Sequence, residues 1–247
     1  MAVEPQVVVD VGNTQMKWGR CAMEGVTHVV RLASNDPEAW DRQRDVWDLP
    51  SRSTWVVSGV HPKNRDRFST WLDQQGEQVR VLRDPEEIPI RTHLEHPEYV
   101  GIDRLLDAVA ANARRRPKTP AAMIDAGSAV TVDFLDGEGV FAGGAIFPGF
   151  GLMAKSLNDY TALLPLVKVE TPPSNIGTDT LMAMRVGIFW TIVGGIERLL
   201  RLYRHQQETD IDVFLTGGDG QLLATRLDEQ FQLWPEMTLE GIRLSVA

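Results

Sequence analysis

Apolar and polar positions in this chain fall into two runs of similar design. The first opens with an apolar stretch, Gln6 to Asp10, read as a strand. Gln15 to Ala22 and Val26 to Leu32 read as the second and third strands of a meander turning at Glu24-Gly25. Asn35-Asp36-Pro37 starts a helix, with Asn35 or Asp36 as cap and Pro37 at the first helical position, running to about Asp48. Ser53 to Ser58 is a buried strand, Pro62 opens a helix to about Gln75, and Gln78 to Leu82 is a further strand. Three strands, helix, strand, helix, strand predicts a mixed sheet covered by helices. Asp84 to Pro97 carries three prolines and many charges and is read as a surface loop. A helix follows from about Gly101, with Leu105, Leu106, Val109, Ala110 and Ala113 as its apolar stripe and Asp107 on its surface. Arg114-Arg115-Arg116-Pro117 ends it, the basic charges complementing the helix dipole. The stretch 117–120 is the predicted boundary, giving halves 1–117 and 118–247.

The second run begins with an apolar strand ending in Asp125, then the turn Ala126-Gly127-Ser128 and a β-rich stretch from Ala129 to Leu135. Asp136-Gly137-Glu138-Gly139 is a hairpin signal, and Val140 to Phe147 returns. A helix is predicted from Gly149 to Leu164, a proline-bearing loop from Val167 to Ile176, and a long helix from Thr178 to about Gln207. That helix is apolar nearly all round between Val186 and Ile196, which predicts burial. Ile211 to Leu215 is a strand leading into Thr216-Gly217-Gly218-Asp219-Gly220, and a helix from Gln221, a short strand near Phe231 and a closing helix from Thr238 to Val246 complete the half.

One pattern occurs in both runs. Val7-Val8-Val9-Asp10-Val11-Gly12-Asn13-Thr14 aligns with Met123-Ile124-Asp125-Ala126-Gly127-Ser128: an apolar strand ends in Asp-x-Gly and a small polar residue. The aspartates lie 115 positions apart (125 minus 10), near half of 247. A single Asp-x-Gly is an ordinary turn. Two at half-length spacing predict two related halves facing each other across a cleft. The chemistry of such a turn suits a phosphate and its metal: glycine lets backbone N–H groups approach phosphate oxygens, and the carboxylate holds Mg²⁺ directly or through water.

Composition narrows the classes. The formal net charge of −9 argues against sequence-independent nucleic-acid binding. One cysteine, Cys21, excludes an intrachain disulfide. The first residues lack the basic and apolar pattern of a secretion signal, and the run from Val186 to Ile196 is short of the roughly 20 residues a bilayer requires, so no membrane role is expected and the cytoplasm is the expected location. His93 and His96 stand in a charged loop without clustered carboxylates and are not read as metal ligands; His61 is read as a loop histidine.

Taken in order, Asp10 to Thr14, Gly101-Ile102-Asp103-Arg104, Asp125 to Ser128, Gly143 to Gly149, Thr180 to Gly187 and Leu215 to Gly220 resemble the motifs of type III pantothenate kinases, members of the actin, sugar kinase and Hsp70 superfamily. The resemblance spans nearly the whole chain. It implies an α/β fold, a duplicated ribonuclease H-like (actin-like ATPase) arrangement of two lobes with ATP between them, and a homodimer. It also implies Mg²⁺, a monovalent cation (K⁺ or NH₄⁺), and ATP-dependent phosphorylation of pantothenate in coenzyme A synthesis. Carried onto this sequence, Asp10, Val11, Gly12, Asn13, Thr14, Gln15, Met16 and Lys17 match the first phosphate motif, with Asp10 positioning Mg²⁺ through water. Asp125 matches the monovalent-cation ligand, Ser128 a phosphate contact, and Gly217 and Gly218 the nucleotide loop. Tyr99, Gly101, Ile102, Asp103, Arg104 and Thr180 match the pantothenate site, and Asp103 the catalytic base. Asp103 at a helix start gains from the dipole, and Arg104 suits a carboxylate-bearing substrate.

Two positions depart from the family pattern. Ser128 stands where Thr is usual, and Asp179 stands where Asn commonly precedes the substrate Thr; the latter adds negative charge beside an anionic substrate. Alternatives are a kinase of another small alcohol, or a catalytically weak homologue acting as a nucleotide-dependent regulator. Retention of Asp10, Asp103 and Asp125 argues for catalysis.

Overall fold

The structure, a computed structural model, describes residues 4–207 and 209–246. The chain divides into two compact units, Met1–Arg114 with Glu236–Ala247, and Arg115–Pro235.

The first unit is a five-stranded sheet in the order β3-β2-β1-β4-β5. Its strands are β1 (Val7–Val11), β2 (Gln15–Ala22), β3 (Gly25–Ala33), β4 (Thr54–Ser58) and β5 (Gln78–Val81). β1 to β3 form the antiparallel meander, and β4 and β5 add in parallel. Helices α1 (Pro37–Trp47) and α2 (Pro62–Gln74) start at the prolines that marked them, and α3 (Ile102–Arg114) follows the Gly101 turn. Asp36 is the α1 cap, its Oδ1 accepting from Ala39 N at 3.0 Å. His61 is not a plain loop histidine: its Nδ1 accepts the N–H of Asn64 at 3.2 Å and caps α2. The core is aromatic, built from Trp18, Trp40, Trp55, Phe68 and Trp71 around the apolar face of β1.

The second unit repeats the topology in the order β10-β9-β6-β7-β8. Here β6 (Ala121–Ala126), β7 (Ala129–Leu135) and β8 (Phe141–Pro148) are the meander; β9 (Asp212–Thr216) and β10 (Gln232–Leu233) are parallel additions. Helices α4 (Phe150–Asp159), α5 (Thr180–Gln207) and α6 (Gly220–Ala224) belong to it. Ile188, Phe189, Ile192, Val193 and Ile196 of α5 pack on Ile124, Val132 and Leu215 of the sheet core.

Four further expectations are corrected. The closing helix, α7 (Met237–Leu244), belongs to the first unit rather than to a second half ending at 247. It lies so close to α3 that a Cβ on Gly241 would fall 2.0 Å from the Leu106 carbonyl oxygen, and its Glu240 accepts from Val26 N at 3.1 Å. Asp107, expected on the surface of α3, is only 2% exposed. α4 stops at Asp159, not Leu164, because Asn158 and Thr161 fold their side chains back onto the carbonyls of Leu164 and Leu157. α5 is not buried all round: Gly187, Thr191 and Gly194 are exposed. Among the described residues α5 is the one helix long and apolar enough to cross a membrane, with a third of its most apolar window buried.

Candidate functional site

In the first unit the site is built at the C-terminal end of β1. Asp10 lies opposite Lys17 on β2 and beside Ser58 on β4. Burial pushes its carboxyl up to about 6; the Lys17 charge opposes this, and the Asp103 charge adds to it. Asp10 and Asp103, ninety-three positions apart (103 minus 10), are thus within electrostatic reach of each other. Asp103 sits in the first turn of α3 and its Oδ1 accepts the Arg104 N–H at 2.9 Å. Burial raises its pKa, and the Arg104 backbone N–H and guanidinium charge hold the rise back. A Cβ at Gly101 would lie 2.6 Å from Asp103 Oδ1, so any larger residue there would push that carboxylate aside.

The turn after Asp10 is tight. Gly12 N–H donates to Gln15 O at 3.0 Å, and Asn13, Thr14 and Gln15 are exposed. Of the motif residues here, Val11 and Met16 have fully buried side chains and can offer a ligand only their backbone. Ile102 is likewise a core residue at 5% exposure. Tyr99, in a single 3₁₀ turn (Pro97–Tyr99), is 81% exposed, its ring 5.7 Å from that of His96.

In the second unit the corresponding place is the end of β6. Asp125 lies between Thr131 on β7 and Thr216 on β9. Thr216 is fully buried, and its Oγ1 has no hydrogen-bond partner. Ser128 is exposed at the tip of the following turn, held by Gly149 N–H donating to Ser128 O at 3.0 Å. Gly217 has φ +96° and passes over the end of β6, where a Cβ would come 2.2 Å from Ala126 O. Gly218 has nothing within 4 Å of where a side chain would be, so its backbone is open to a ligand. Asp219 holds the N-cap position of α6 without a side-chain cap bond, and burial raises its pKa. Thr180 is exposed at the start of α5. Asp179, the departure from Asn, is that helix's cap: its Oδ1 accepts Met182 N–H at 2.8 Å. Asn and Asp share that acceptor oxygen, so the helix start serves both, and the dipole stabilises the added charge.

The donor sets fit the expected ions. Among the described residues no cluster of three or more His, Cys, Asp or Glu exists to cage a metal. A lone carboxylate such as Asp10 matches Mg²⁺, which keeps most of its waters and takes the rest of its ligands from phosphate. Asp125 beside the unpartnered Thr216 hydroxyl offers an oxygen pair for a weakly bound monovalent cation.

Sequence reasoning missed Ser34, Gly59, Asn64 and Thr216. A signal existed for two of them: Ser58-Gly59 and Thr216-Gly217 each end an apolar strand. A Cβ on Gly59 (φ +142°) would meet Val11 O at 2.2 Å, as Gly217 does Ala126 O.

A profile of the type III pantothenate kinase family matches residues 6–202. A type III pantothenate kinase of Synechococcus sp. (strain JA-2-3B'a(2-13)) is 34% identical over 238 residues, covering 94% of this chain and 85% of that one. One from Flavobacterium johnsoniae is 32% identical over 222 residues, covering 90% and 88%. Among solved structures, a protein from Campylobacter jejuni assigned to the Baf family of transcriptional activators superposes with a TM-score of 0.60 at 18% identity, covering 97% of this chain and 96% of that one. The activator of 2-hydroxyisocaproyl-CoA dehydratase from Clostridium difficile, with bound ADPNP, gives 0.53 at 13% identity, covering 98% and 93%. At such identities the structural likeness speaks to fold alone, two mixed sheets flanked by helices in the manner of actin-like ATPases and sugar kinases. The sequence relatives go further: with a matching profile over most of its length, and full-length relatives above 30% identity, this chain belongs to the type III pantothenate kinase family.

Proposed function

We propose that this protein is an ATP-dependent pantothenate kinase, producing 4'-phosphopantothenate in the first step of coenzyme A synthesis. The observation that carries this reading is family membership along most of the chain. The paired carboxylates of the first unit, Asp10 and Asp103, support it.

In the reaction, the acceptor hydroxyl oxygen of pantothenate bonds to the γ-phosphorus of ATP as the bond from that phosphorus to the β-bridging oxygen breaks, and ADP leaves. The hydroxyl proton passes to the Asp103 carboxylate. A base whose pKa burial raises is better matched to this task. Arg104 pairs with the pantothenate carboxylate, with Tyr99 and the backbone of Gly101 and Ile102 beside it on the same unit. The Gly12 to Thr14 turn in the first unit, and Ser128, Gly217 and Gly218 in the second, each offer N–H or hydroxyl groups to phosphate oxygens. Asp10 would hold Mg²⁺, and Asp125 with Thr216 would hold K⁺ or NH₄⁺. When bound, these cations neutralise phosphate charge.

The reading includes a homodimer and a cytoplasmic location. A shallow apolar groove of about 340 Å³ between α4 and α5, lined by Met153, Leu157, Met184 and Ile188 and floored at Gly187, is the proposed seat of a second copy. Gly187 and Gly194 leave open space on α5, which allows close helix approach. Light scattering on the purified protein tests it, and a monomer at micromolar concentration would overturn it.

The function is tested by ATP consumption with pantothenate in K⁺ and then in Na⁺, with Asp103→Asn as control. Turnover that requires pantothenate, favours K⁺ and collapses in the variant is expected. Turnover with a different small alcohol alone would move the assignment to that acceptor.

A further inference from the structure

The tight turn after β1 has an anchor outside every motif discussed so far. The side chain of Asn64, in the first turn of α2, is buried at 7% exposure. Its Nδ2 donates to Gly12 O at 3.3 Å and to Asn13 O at 3.0 Å. Its Oδ1 accepts from Arg67 Nη2 at 2.9 Å, which fixes which way the amide faces. Its own N–H is taken by His61 Nδ1, which locks the residue into the helix cap. From another side, Ser34, 2% exposed, donates Oγ to Gly12 O at 3.2 Å and its N–H to Thr14 O at 3.1 Å.

Three successive carbonyls, those of Gly12, Asn13 and Thr14, are therefore held by Asn64 and Ser34. In a planar trans peptide the C=O of one residue and the N–H of the next point in opposite directions. Anchoring these carbonyls turns the N–H groups of Asn13, Thr14 and Gln15 away from the anchor, on a turn whose residues 13 to 15 are exposed. Successive outward N–H groups form an anion-binding concavity.

We infer that Asn64, assisted by Ser34, is a positioning residue for the phosphates of ATP: it sets the peptide planes of the Gly12 to Thr14 turn so that their N–H groups face the nucleotide. This rests on the kinase reading above. Asn64 touches neither phosphate nor acceptor and acts only through the turn. The chemistry of the amide is what matters, because a carboxylate of the same shape would put oxygen against two carbonyl oxygens.

The test compares Asn64→Ala, Asn64→Asp and Ser34→Ala with wild type. Calorimetric titration with a non-hydrolysable ATP analogue, steady-state KM for ATP and for pantothenate, and thermal melting are measured on each. Asn64→Ala is expected to weaken the analogue about tenfold or more and to raise KM for ATP in parallel, leaving KM for pantothenate within about twofold. Asn64→Asp is expected to be worse than Asn64→Ala, an order that simple packing would reverse because Asp keeps the shape. Ser34→Ala should move the same quantities in the same direction, and it decides the matter if an Asn64 variant fails to fold. Analogue binding within twofold of wild type in the folded variants would overturn the inference. Wild type that binds the analogue but ignores pantothenate would overturn only the acceptor assignment, and the binding comparison would still decide the role of Asn64. Wild type that binds no analogue would overturn both.

Discussion

Replacing Asp10 by Asn should make the nucleotide-free protein more stable at neutral pH while removing its activity. The carboxyl is pushed from an ordinary value of 3.8 to about 6, chiefly by burial. The folded state therefore holds the Asp10 proton more tightly than the unfolded chain does. Below about pH 4 both states are protonated and the group costs nothing. Between about pH 4 and 6 the unfolded chain loses its proton first, so stability falls as pH rises, and above 6 the full penalty persists. The gap from 3.8 to about 6, at about 1.4 kcal/mol per tenfold, corresponds to about 3 kcal/mol. That figure is an upper bound because Asp10 keeps part of its surface on solvent. An isosteric amide removes the charge and recovers it. For a chain of this size the gain is about 6–12 °C at most in melting temperature. The assay is thermal or urea unfolding in EDTA without nucleotide, at pH 4 and at pH 8, followed by tryptophan fluorescence. Five of the seven tryptophans, Trp18, Trp40, Trp47, Trp55 and Trp71, lie in the core of the unit that carries Asp10, so the signal reports on it. A gain at pH 8 that vanishes at pH 4 is expected. Equal gains at both pH values, or a loss at pH 8, would refute the reasoning.

Three other substitutions follow from the geometry. Gly101→Ala puts a Cβ 2.6 Å from Asp103 Oδ1, so kcat should fall about 10- to 100-fold with little change in melting temperature; a variant with wild-type kcat would show that Asp103 need not sit where it does. Thr216→Val removes a buried hydroxyl that has no partner, so the cation-free protein should gain about 1 kcal/mol in unfolding assays while K⁺ no longer stimulates turnover; retained K⁺ stimulation would remove Thr216 from the cation site. Gly217→Ala forces a side chain to φ +96° and within 2.2 Å of Ala126 O, and should lower stability by about 2–4 kcal/mol, read as a drop in urea midpoint.

Most strands and helix starts were legible because their signals are local. Strand-like runs gave β2 and β7 to the residue, and Pro37 and Pro62 marked their helices. What escaped depended on distant parts of the chain. Nothing near residue 240 announces that Gly241 packs on the backbone of Leu106, so sequence order alone places α7 in the other unit. Asp107 is charged and one turn from Asp103, which reads as solvent-facing until α3 is covered. The motif residues were found through family resemblance and the repeated Asp-x-Gly, but Asn64 reaches 51 residues back to Asn13 and belongs to no repeat. A side chain whose role is to hold another segment's carbonyls leaves no local pattern.

The repetition itself has a physical reason. In each unit the first strand ends in Asp, and the parallel neighbour ends in a hydroxyl residue followed by glycine: Asp10 with Ser58-Gly59, and Asp125 with Thr216-Gly217. The glycines, at φ +142° and +96°, let the neighbour's exit turn cross the backbone of the first strand, which any Cβ would block. Ligands of open α/β sheets bind at the carboxyl ends of such strands, where a crossover leaves a crevice. The same construction is then specialised by a single hydrogen bond. Ser58 Oγ donates to Leu82 O at 3.4 Å and is used up, whereas Thr216 Oγ1 has no partner. The first copy is closed on itself, with its carboxylate under the charges of Lys17 and Asp103. The second keeps an oxygen in reserve beside Asp125, which is the difference that the proposed roles, one cation held through water and one stripped of it, would require.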